Sequence, residues 1–396
     1  MVKDRAPVAL LGFGKAVPTY RYAHAAIGQW IGESLGADRA LARWVRGVFA
    51  ATGIETRYSC LPDVLGSPQA SRFAPGRALA DAATTAERMA IYEREAVLVG
   101  QQAARDALAD FGASGVADTV THLIVVSCTG FFAPGLDQAI ARALDLGPNV
   151  QRTLVGFMGC AAAFNGLRLA DQIVRAQPTA RVLVVCVEMC SLHIQPQPTR
   201  TDLLVAALFA DGAAACLVGA PPAEEDRDYY ALDTMYSALA PDTRQHMVWQ
   251  IGDYGFKLHL SPEIPQRLGE VAPDALEALL DGRPMPRAWA IHPGGKAIVE
   301  RLAELFELTA DDLAPTYTVL RDYGNMSSAT ILFVLAEMRE RLRRAGGDAP
   351  TSVAAMAFGP GLVVEMAHLT YQPVGSHVST LERPMQGREI ASLRSQ

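Results

Sequence analysis

Short apolar runs alternate with amphipathic runs along most of the chain. The apolar runs THLIVVSCTG (121–130), ARVLVVCVEMC (180–190) and GAAACLVG (212–219) are typical of buried strands. Two other runs, YEREAVLVGQQAARDALADFG (92–112) and GLDQAIARALDLG (135–147), have the spacing of amphipathic helices that end at glycine. Because continuous apolar strands are separated by helices, the pattern predicts an α/β fold with a mostly parallel sheet covered on both faces.

The same order of elements returns in the second half of the chain. A strand at RAWAIHPGG (287–295) precedes a helix at KAIVERLAELF (296–306), and a long helix at 323–347 precedes two strands at 352–359 and 361–371. The segment GAPPAEEDRDYY (219–230), rich in proline and acidic residues, separates the halves. We therefore expect two halves, residues 1–225 and 226–396, that pack as one intimate unit.

Composition narrows the class of protein. The 396 residues are 50% hydrophobic and carry a net charge of −7 without long runs of like charge, which argues against nucleic acid as a partner. No apolar segment approaches the ~20 residues of a transmembrane helix, so no integral membrane association is expected. The six cysteines have no regular spacing and several lie in apolar runs, which is typical of reduced thiols in a cytoplasmic protein.

The run VGFMGCAAAFNGLRLA (155–170) places Cys160 where a strand ends and a helix begins. Unpaired N–H groups at a helix N-terminus favour the nucleophilic thiolate, and the flanking Gly156 and Gly159 allow a sharp turn. Free cysteine is also among the most buried residue types, so a simple packing role is equally compatible with this pattern. The run by itself leaves both interpretations open.

A cysteine nucleophile needs a partner base and groups that stabilise an oxyanion. His292 ends the strand AWAI and is followed directly by PGG, a position where α/β sheets often present side chains to ligands. Asn325, in YGNMSSAT, begins a long helix, where it either caps the helix or points into a site. By contrast, polar or terminal surroundings predict surface positions for four other histidines, which are His24, His246, His368 and His377.

The segment FGPGLVVE (358–365) places Gly359, Pro360 and Gly361 between two strands. An ordinary hairpin turn would explain this sequence. A rigid stretch of backbone against which a ligand can lie closely would explain it as well.

Taken in order, GFMGCAAAFNGLRLA, IHPGG, GNMSSAT and FGPGL resemble the motifs of type III polyketide synthases of the chalcone synthase superfamily, and the resemblance covers nearly the whole chain. It implies a thiolase-like fold with a duplicated αβαβα layered architecture, and a homodimer. It also implies decarboxylative condensation of malonyl-CoA with an acyl-CoA starter. Coenzyme A thioesters would be substrates, and neither a cofactor nor a metal would be needed.

The resemblance also implies roles for individual residues. Cys160 would carry the acyl group, and His292 would keep Cys160 as a thiolate. With Asn325, His292 would bind the carbonyl oxygen of malonyl-CoA as it decarboxylates. Phe209, in ALFADGAAA, matches a phenylalanine at the gate between the CoA tunnel and the cavity. Ser327 and Gly359-Pro360-Gly361 match cavity-lining positions.

Several positions depart from the plant enzymes and look more like bacterial members. Leu258 replaces a second gate phenylalanine, and Trp249 stands where the plant enzymes have a small residue. Plant threonines are replaced at three further substrate-binding positions, by Cys128, Cys190 and His193. The plant lysines at the CoA entrance are not preserved, and the candidates to replace them are Arg43, Arg46 and Arg57.

These departures favour a fatty acyl starter and an alkylpyrone or alkylresorcinol product. Within the same family, a synthase that uses only malonyl-CoA and makes tetrahydroxynaphthalene or phloroglucinol-type products is the alternative. An inactive acyl-binding partner with a thiolase fold is the alternative from another class. Delivery of the starter on CoA or on an acyl carrier protein is left open.

Overall fold

A computed structural model describes residues 6–36, 38–62, 66–112, 115–222 and 227–375. The strands in these ranges are β1 (Ala9–Ala16), β2 (Tyr20–Ala23), β3 (Thr56–Ser59), β4 (His122–Ser127), β5 (Gln151–Gly156), β6 (Val182–Met189), β7 (Asp211–Gly219), β8 (Tyr229–Leu239), β9 (Met247–Gly252), β10 (Gly255–Leu260), β11 (Ala288–Ile291), β12 (Thr351–Gly359) and β13 (Val363–Gln372). The α-helices are α1 (His24–Ser34), α2 (Arg39–Ala51), α3 (Thr85–Phe111), α4 (Leu136–Ala143), α5 (Ala162–Ala176), α6 (Arg200–Leu208), α7 (Ile264–Leu280), α8 (Lys296–Phe306), α9 (Ala314–Tyr323) and α10 (Thr330–Ala345).

The helix predicted at 92–112 begins earlier than expected, at Thr85. The Thr84 side chain accepts a hydrogen bond from the Glu87 backbone, and the Glu87 side chain accepts one from the Thr84 backbone. This reciprocal capping box satisfies two N–H groups at the helix start, and the Thr-x-x-Glu spacing in the sequence is its signature.

Nine strands form one sheet in the order β11-β12-β13-β8-β1-β7-β6-β4-β5. In each half the first strand lies at the centre of the sheet and the last strand lies next to it, so the halves repeat one topology. The N-terminal half contributes five strands and the C-terminal half contributes four. In the N-terminal half β5 forms the outer edge of the sheet, and the described part of the C-terminal half has no strand at the equivalent position. The two halves meet where β1 pairs with β8, at Ala9–Ala231 and Leu10–Tyr230.

The expectation of a mostly parallel sheet is wrong. Only β4·β5, β4·β6 and β11·β12 are parallel, and the other five neighbouring pairs are antiparallel. The central strands are uniformly apolar because helices cover both of their faces, and this coverage gives the same sequence pattern whichever way the neighbouring strand runs.

Packing defines five layers. One core cluster joins α5 and α10 to residues of both halves of the sheet, so these two helices form a central layer. The opposite face of the N-terminal half packs on α3 and α4, and that of the C-terminal half packs on α7 and α8. This αβαβα arrangement is the thiolase-like, duplicated architecture that the resemblance implies. Both central helices begin at the motifs singled out in the sequence.

The domain boundary predicted near residue 225 falls within 223–226, outside the described residues, so the division into 1–225 and 226–396 stays a prediction. Among the residues that the structure covers, no helix is both long and apolar enough to cross a membrane.

The surface positions predicted for three histidines are wrong, because His24, His246 and His368 are all buried. His24 shows the reason: its ring stacks on Phe49 and its Nε2 lies 3.1 Å from the Thr52 hydroxyl. Such contacts are made by residues distant in the sequence and leave no local signal. His377 lies outside the described residues.

Candidate active site

Cys160 lies in a 3₁₀ turn, Gly159–Ala161, that leads directly into α5. Gly159 has a φ of +72°, and a Cβ atom at this position would lie 2.1 Å from Cδ of Pro360. Both the backbone conformation and the close approach require glycine here. The turn therefore places Cys160 at the start of the helix, as the sequence predicts.

His292 follows the last residue of β11 and is fully buried. Its backbone N–H donates to the carbonyl of Met356 over 2.9 Å, which ties it to the neighbouring strand β12. Neither ring nitrogen has a hydrogen-bond partner among the described residues. The two nitrogens are therefore free to bind a group that enters the site.

Asn325 is held by backbone contacts with the other half of the chain. Its N–H donates to the Leu208 carbonyl over 3.0 Å, and its carbonyl accepts from the Ala210 N–H over 2.8 Å. Its side-chain Oδ1 accepts from the Ser327 N–H over 2.8 Å, and Nδ2 donates to the Gly294 carbonyl over 3.3 Å. The side chain both supports the turn before α10 and lines the cavity, so the two roles considered for it are compatible.

These three residues line one cavity of about 480 Å³. Most of the other lining residues are apolar. Of the remaining predicted substrate-binding residues, the cavity wall includes Phe209, Leu258, Cys128, Cys190, Ser327 and Pro360. The structure therefore brings together residues from both halves that are up to 232 positions apart in sequence, from Cys128 to Pro360.

Burial governs protonation in the site. It raises the pKa of the Cys160 thiol to about 12, an effect that a hydrogen bond with Ser327 opposes and the Glu188 carboxyl reinforces. Burial also lowers the pKa of His292 to about 3. Each group by itself is therefore neutral at pH 7, which differs from the resting thiolate that the resemblance implies. Proton transfer from thiol to imidazole would give a pair of zero net charge, which costs less to bury than either charge alone.

The Gly359-Pro360-Gly361 segment connects β12 and β13 and packs on the cysteine turn. Pro360 lines the cavity, whereas a Cβ at Gly359 would lie 3.0 Å from the Met158 carbonyl oxygen. Gly361 donates its N–H to the Met247 carbonyl over 2.9 Å. Only Pro360 of the three lines the main cavity, and the two glycines hold the neighbouring backbone.

His193 does not line the main cavity but a smaller one of about 60 Å³ beside it. The Phe256 N–H donates to His193 Nδ1 over 3.0 Å, so the ring proton is on Nε2, which donates to the Thr129 carbonyl over 2.8 Å. Burial lowers the pKa of His193 to about 3, which keeps the ring neutral. His193 thus connects the β9–β10 hairpin to the loop that carries Cys128.

Glu188 is the buried group near the site that the sequence analysis missed. It accepts hydrogen bonds from the Cys128 N–H (3.0 Å), the Thr129 hydroxyl (2.8 Å) and the Ser328 hydroxyl (2.5 Å). Burial raises the pKa of Glu188 to about 7. A lone acidic residue inside the apolar strand VLVVCVEM was the signal available in the sequence.

The three arginines proposed for the CoA entrance separate into two groups. Arg43 and Arg46 are exposed on α2, whose Val48 and Ala51 line the cavity. Arg57 is only 5% exposed and donates to backbone carbonyls, so its assignment to the entrance is wrong. Arg57 lies against the inner side of α2, with its guanidinium 5.4 Å from the centre of the Phe49 ring, whereas Arg43 and Arg46 point outward.

The sequence matches the family described as chalcone and stilbene synthases. Residues 2–222 match the N-terminal domain of that family and residues 231–371 match the C-terminal domain. The structure superposes on the C-terminal type III polyketide synthase domain of Steely1 from Dictyostelium with a TM-score of 0.83 and 28% identity, over 93% of this chain and 99% of that one. PKS-I from the brown alga Ectocarpus siliculosus gives a TM-score of 0.82 at 27% identity, with the same coverage.

Relatives of known name are also similar in sequence. The alpha-pyrone synthesis polyketide synthase-like Pks18 of Mycobacterium tuberculosis is 35% identical over 289 residues, which are 72% of each chain. Type III polyketide synthase 10 of Oryza sativa is 32% identical over 332 residues, 79% of this chain and 80% of that protein. Because both family domains, the sequence identity and the fold agree, this chain belongs to the type III polyketide synthases of the chalcone and stilbene synthase family, which are acyl-transferring condensing enzymes.

Proposed function

We propose that this synthase condenses malonyl-CoA repeatedly with a fatty acyl-CoA starter and cyclises the product to an alkylpyrone or alkylresorcinol. The observation that carries the proposal is the convergence of Cys160, His292 and Asn325 on one largely apolar cavity of about 480 Å³. A space of this size suits a ligand of small-molecule dimensions.

In the first step the Cys160 sulfur attacks the acyl-CoA carbonyl, with its proton passing to His292. The tetrahedral intermediate collapses as the C–S bond to coenzyme A breaks, and the leaving thiolate takes the proton from His292. The acyl group is then a thioester on Cys160. The start of α5 contributes N–H groups that favour negative charge at this sulfur.

In the second step malonyl-CoA loses CO₂, and the electron pair of the broken C–C bond forms an enolate. His292 and the Asn325 amide donate hydrogen bonds to the enolate oxygen. The enolate carbon then attacks the carbonyl carbon of acyl-Cys160, and the C–S bond to Cys160 breaks. This step regenerates the Cys160 thiolate and gives a β-ketoacyl-CoA as product. These steps use side chains of this chain and the CoA thioesters, so we propose that neither a cofactor nor a metal takes part.

The shape of the interior supports a fatty starter. The main cavity adjoins the cavity of about 60 Å³, and four residues line both: Cys190, Phe209, Trp249 and Leu258. The first and last of these replace bulkier or more polar residues of the plant enzymes. The name of the Mycobacterium relative, an alpha-pyrone synthesis protein, agrees with a pyrone product.

Product analysis tests this proposal. The purified enzyme is incubated with malonyl-CoA alone and with C6 to C16 acyl-CoAs, and the products are identified by liquid chromatography and mass spectrometry. We expect alkylpyrones or alkylresorcinols that contain the added chain. Equal product without acyl-CoA would support the synthase that uses only malonyl-CoA. Parallel reactions with acyl carrier protein thioesters show which carrier delivers the starter.

Trp249 offers a sharper test of starter length. Its ring lines both cavities, and its Nε1–H donates to the Cys128 carbonyl over 2.8 Å. Trp249→Ala joins the two spaces, so we expect the preferred acyl-CoA to become longer by several carbons. Trp249→Phe removes the hydrogen bond but keeps most of the bulk, and it should leave the preference near that of the wild type. An unchanged preference in Trp249→Ala would show that the smaller cavity does not hold the starter.

The state of the nucleophile can be measured by alkylation. If His292 takes the proton from Cys160, the rate of iodoacetamide labelling of Cys160 reaches a plateau below pH 7. In His292→Gln the plateau is lost, because burial then leaves the thiol with a pKa near 12. A wild-type rate that rises tenfold per pH unit through pH 9 would show a neutral resting thiol, with His292 acting as a base only during attack.

We also propose a homodimer built on the β5 edge of the sheet. β5 is the last strand in the order, and its residues 151–154 are exposed. Apolar side chains are exposed on this strand and next to it, and the exposed fractions are 44% for Leu154, 46% for Met158 and 38% for Phe131. An uncovered strand edge with apolar neighbours favours pairing. Light scattering should give twice the chain mass, and Leu154→Glu should give a monomer.

A cytoplasmic location completes the proposal. All six cysteines are free and buried thiols, which persist in a reducing compartment. Cell fractionation of the producing organism tests this.

A further inference from the structure

Arg57 is a buried cation that lines the smaller cavity but not the main one, and it makes no hydrogen bond to a carboxylate of the described residues. Its Nη1 donates to the Phe209 carbonyl over 2.5 Å and to the Ala206 carbonyl over 2.6 Å. These carbonyls belong to the last turn of α6 and the residue after it. Since the last carbonyls of a helix have no partner within the helix, the guanidinium supplies the missing donors.

The carbonyls that Arg57 holds lie directly beside the anchor of Asn325. Leu208 and Ala210, the neighbours of Phe209, make the two backbone hydrogen bonds that fix Asn325, and Phe209 itself forms the isolated bridge with Asn325. Displacement of the Phe209 carbonyl would therefore displace both of these hydrogen bonds.

A second contact reaches the same point from the other side. Gly324 precedes Asn325 and has a φ of +74°, and a Cβ built on it would lie 3.2 Å from both Cγ and Cδ of Arg57. The aliphatic part of the Arg57 side chain thus packs directly against Gly324, the residue before Asn325. Arg57 also donates a hydrogen bond to Phe209, the residue that forms the bridge with Asn325.

We infer that Arg57 is a positioning residue for the malonyl half-reaction: it fixes the Leu208–Ala210 segment and Gly324, and through them it aims the Asn325 amide at the enolate oxygen. The inference rests on the proposed function, in which Asn325 acts on malonyl-CoA and Cys160 acts on the starter. The cysteine turn is built from other elements, α5 and the Gly359-Pro360-Gly361 segment, and Arg57 makes no contact with it. Loss of Arg57 should therefore impair one half-reaction and spare the other.

The test compares two measurements on each variant of the full-length enzyme. One is acylation of Cys160 by an acyl-CoA without malonyl-CoA, followed by intact-protein mass spectrometry. The other is CO₂ release from malonyl-CoA. Arg57→Met keeps the aliphatic stem under Gly324 but removes the N–H donors. A misplacement of about 1 Å costs on the order of 100-fold in rate, so we expect CO₂ release to fall ~10- to 100-fold in kcat, with acylation within about threefold of wild type.

Arg57→Lys should restore part of the loss, because one ammonium group can reach one of the two carbonyls. Arg88→Met is the matched control. Arg88 is also buried and donates to backbone carbonyls, those of Ala83 and Leu192, but it makes no contact with the Asn325 anchor. This variant should reduce both measurements by the same factor, if it reduces them at all. Rates are referred to the folded fraction measured by circular dichroism.

Each outcome decides the inference. Selective loss of CO₂ release in Arg57→Met supports it. Equal loss of both measurements, or loss of neither, overturns it. Asn325→Ala separates this failure from a failure of the proposed function: if Asn325→Ala also leaves CO₂ release unchanged, the role proposed for Asn325 is wrong. Should Arg57→Met not fold, Arg57→Lys supplies the same comparison at smaller amplitude, and an equal change in its two rates would overturn the inference.

Discussion

The two central helices, α5 and α10, begin in similar ways but are fixed by different means. Each follows a 3₁₀ turn associated with a left-handed residue, Gly159 before Cys160 and Ser327 after Asn325, with φ values of +72° and +49°. The turn before α5 leaves a strand of its own half, β5. The turn before α10 follows a helix, α9, and Asn325 pairs with Phe209 of the other half instead.

This difference follows from the missing fifth strand in the C-terminal half. Where the N-terminal half has β5 to lead into α5, the C-terminal half uses the backbone of Leu208 and Ala210 to hold Asn325. The far end of α10 is also fixed from outside its own half, because Arg339 donates to the Leu11 carbonyl and to Asp110. The turn that carries Cys160 therefore joins a strand and a helix of its own half and packs on Pro360 of the other, whereas Asn325 is fixed by backbone hydrogen bonds from the other half.

The largest expected effect distinguishes the chemistry of the two helix starts. Cys160→Ala should abolish both starter acylation and product formation, a loss of at least ~10³-fold, because the nucleophile is gone. Asn325→Ala should reduce CO₂ release by roughly 10²- to 10³-fold, as expected for one oxyanion donor, and should slow acylation by only a few fold, through loss of its side-chain hydrogen bond to the Cys160 thiol. Cys216→Ala, at a buried thiol outside the cavity, is the control. Full activity of Cys160→Ala would show that Cys160 is not the nucleophile.

A smaller effect separates the two turns as structures. Gly159→Ala should destabilise the protein by about 3 kcal/mol, because the left-handed conformation and the clash with Pro360 add together. Gly324→Ala should cost about 1–2 kcal/mol, since its Cβ would meet Arg57 at 3.2 Å rather than overlap with it. Chemical denaturation measures both. An equal cost at the two glycines would contradict the tighter fit described for the cysteine turn.

Acid should weaken the ion pairs that anchor the far end of α10. Although burial opposes it, hydrogen bonds from Arg343 and Arg339 lower the pKa of Asp228 to about 2. A carboxyl with a lowered pKa contributes stability above its unfolded pKa of about 4, and this is lost as the pH falls toward 2. The shift corresponds to about 2 kcal/mol in the free energy of unfolding.

Urea unfolding between pH 3 and 6 measures this contribution. Asp228→Asn should be less stable than the wild type at pH 6, and the difference should shrink as the pH falls. Asp322→Asn, which removes a surface ion pair with Arg321, should change stability by less than about 1 kcal/mol throughout. A gap between Asp228→Asn and wild type that does not vary with pH would show that the carboxyl charge is not what anchors α10.

The smallest expected effect is at Ser327, which connects the two turns. Its side chain hydrogen-bonds to Cys160, and this contact lowers the thiol pKa against the effect of burial. Ser327→Ala should therefore reduce the rate of Cys160 acylation by a few fold, which corresponds to about 1 kcal/mol for the one hydrogen bond lost. The stability of the protein should be nearly unchanged. Acylation that proceeds at the wild-type rate would show that the serine acts only as part of the cavity wall.

The cysteine turn was predictable because its causes are local. Gly159, Cys160 and the alanine-rich start of α5 are consecutive, and a strand-to-helix turn with glycine is a property of that short segment. The strand end at His292 was predictable for the same reason. The sheet was predicted as mostly parallel and is not, because hydrophobic pattern reports burial of both faces and is insensitive to strand direction.

Other residues could not be placed from their neighbours in sequence. Arg57 was one of three candidates for the CoA entrance, and only the position of α6 beside β3 shows that it is buried. His193 was predicted to bind substrate, and its hydrogen bonds to Thr129 and Phe256 place it on the smaller cavity rather than on the main one. Glu188 had a usable signal, an acidic residue in an apolar strand, but its partners are supplied by residues 60 and 140 positions away.

The sequence by itself determined the family, and it predicted the proposed nucleophile Cys160, its partners His292 and Asn325 and the repeated order of elements, because these depend on short motifs and on hydrophobic periodicity. The tertiary structure alone decided strand direction, the burial of Arg57 and His193, the anchoring of Asn325 on the other half, and the size of the cavity. These properties arise from backbone hydrogen bonds and close packing between segments more than 200 residues apart, and no local pattern encodes such contacts.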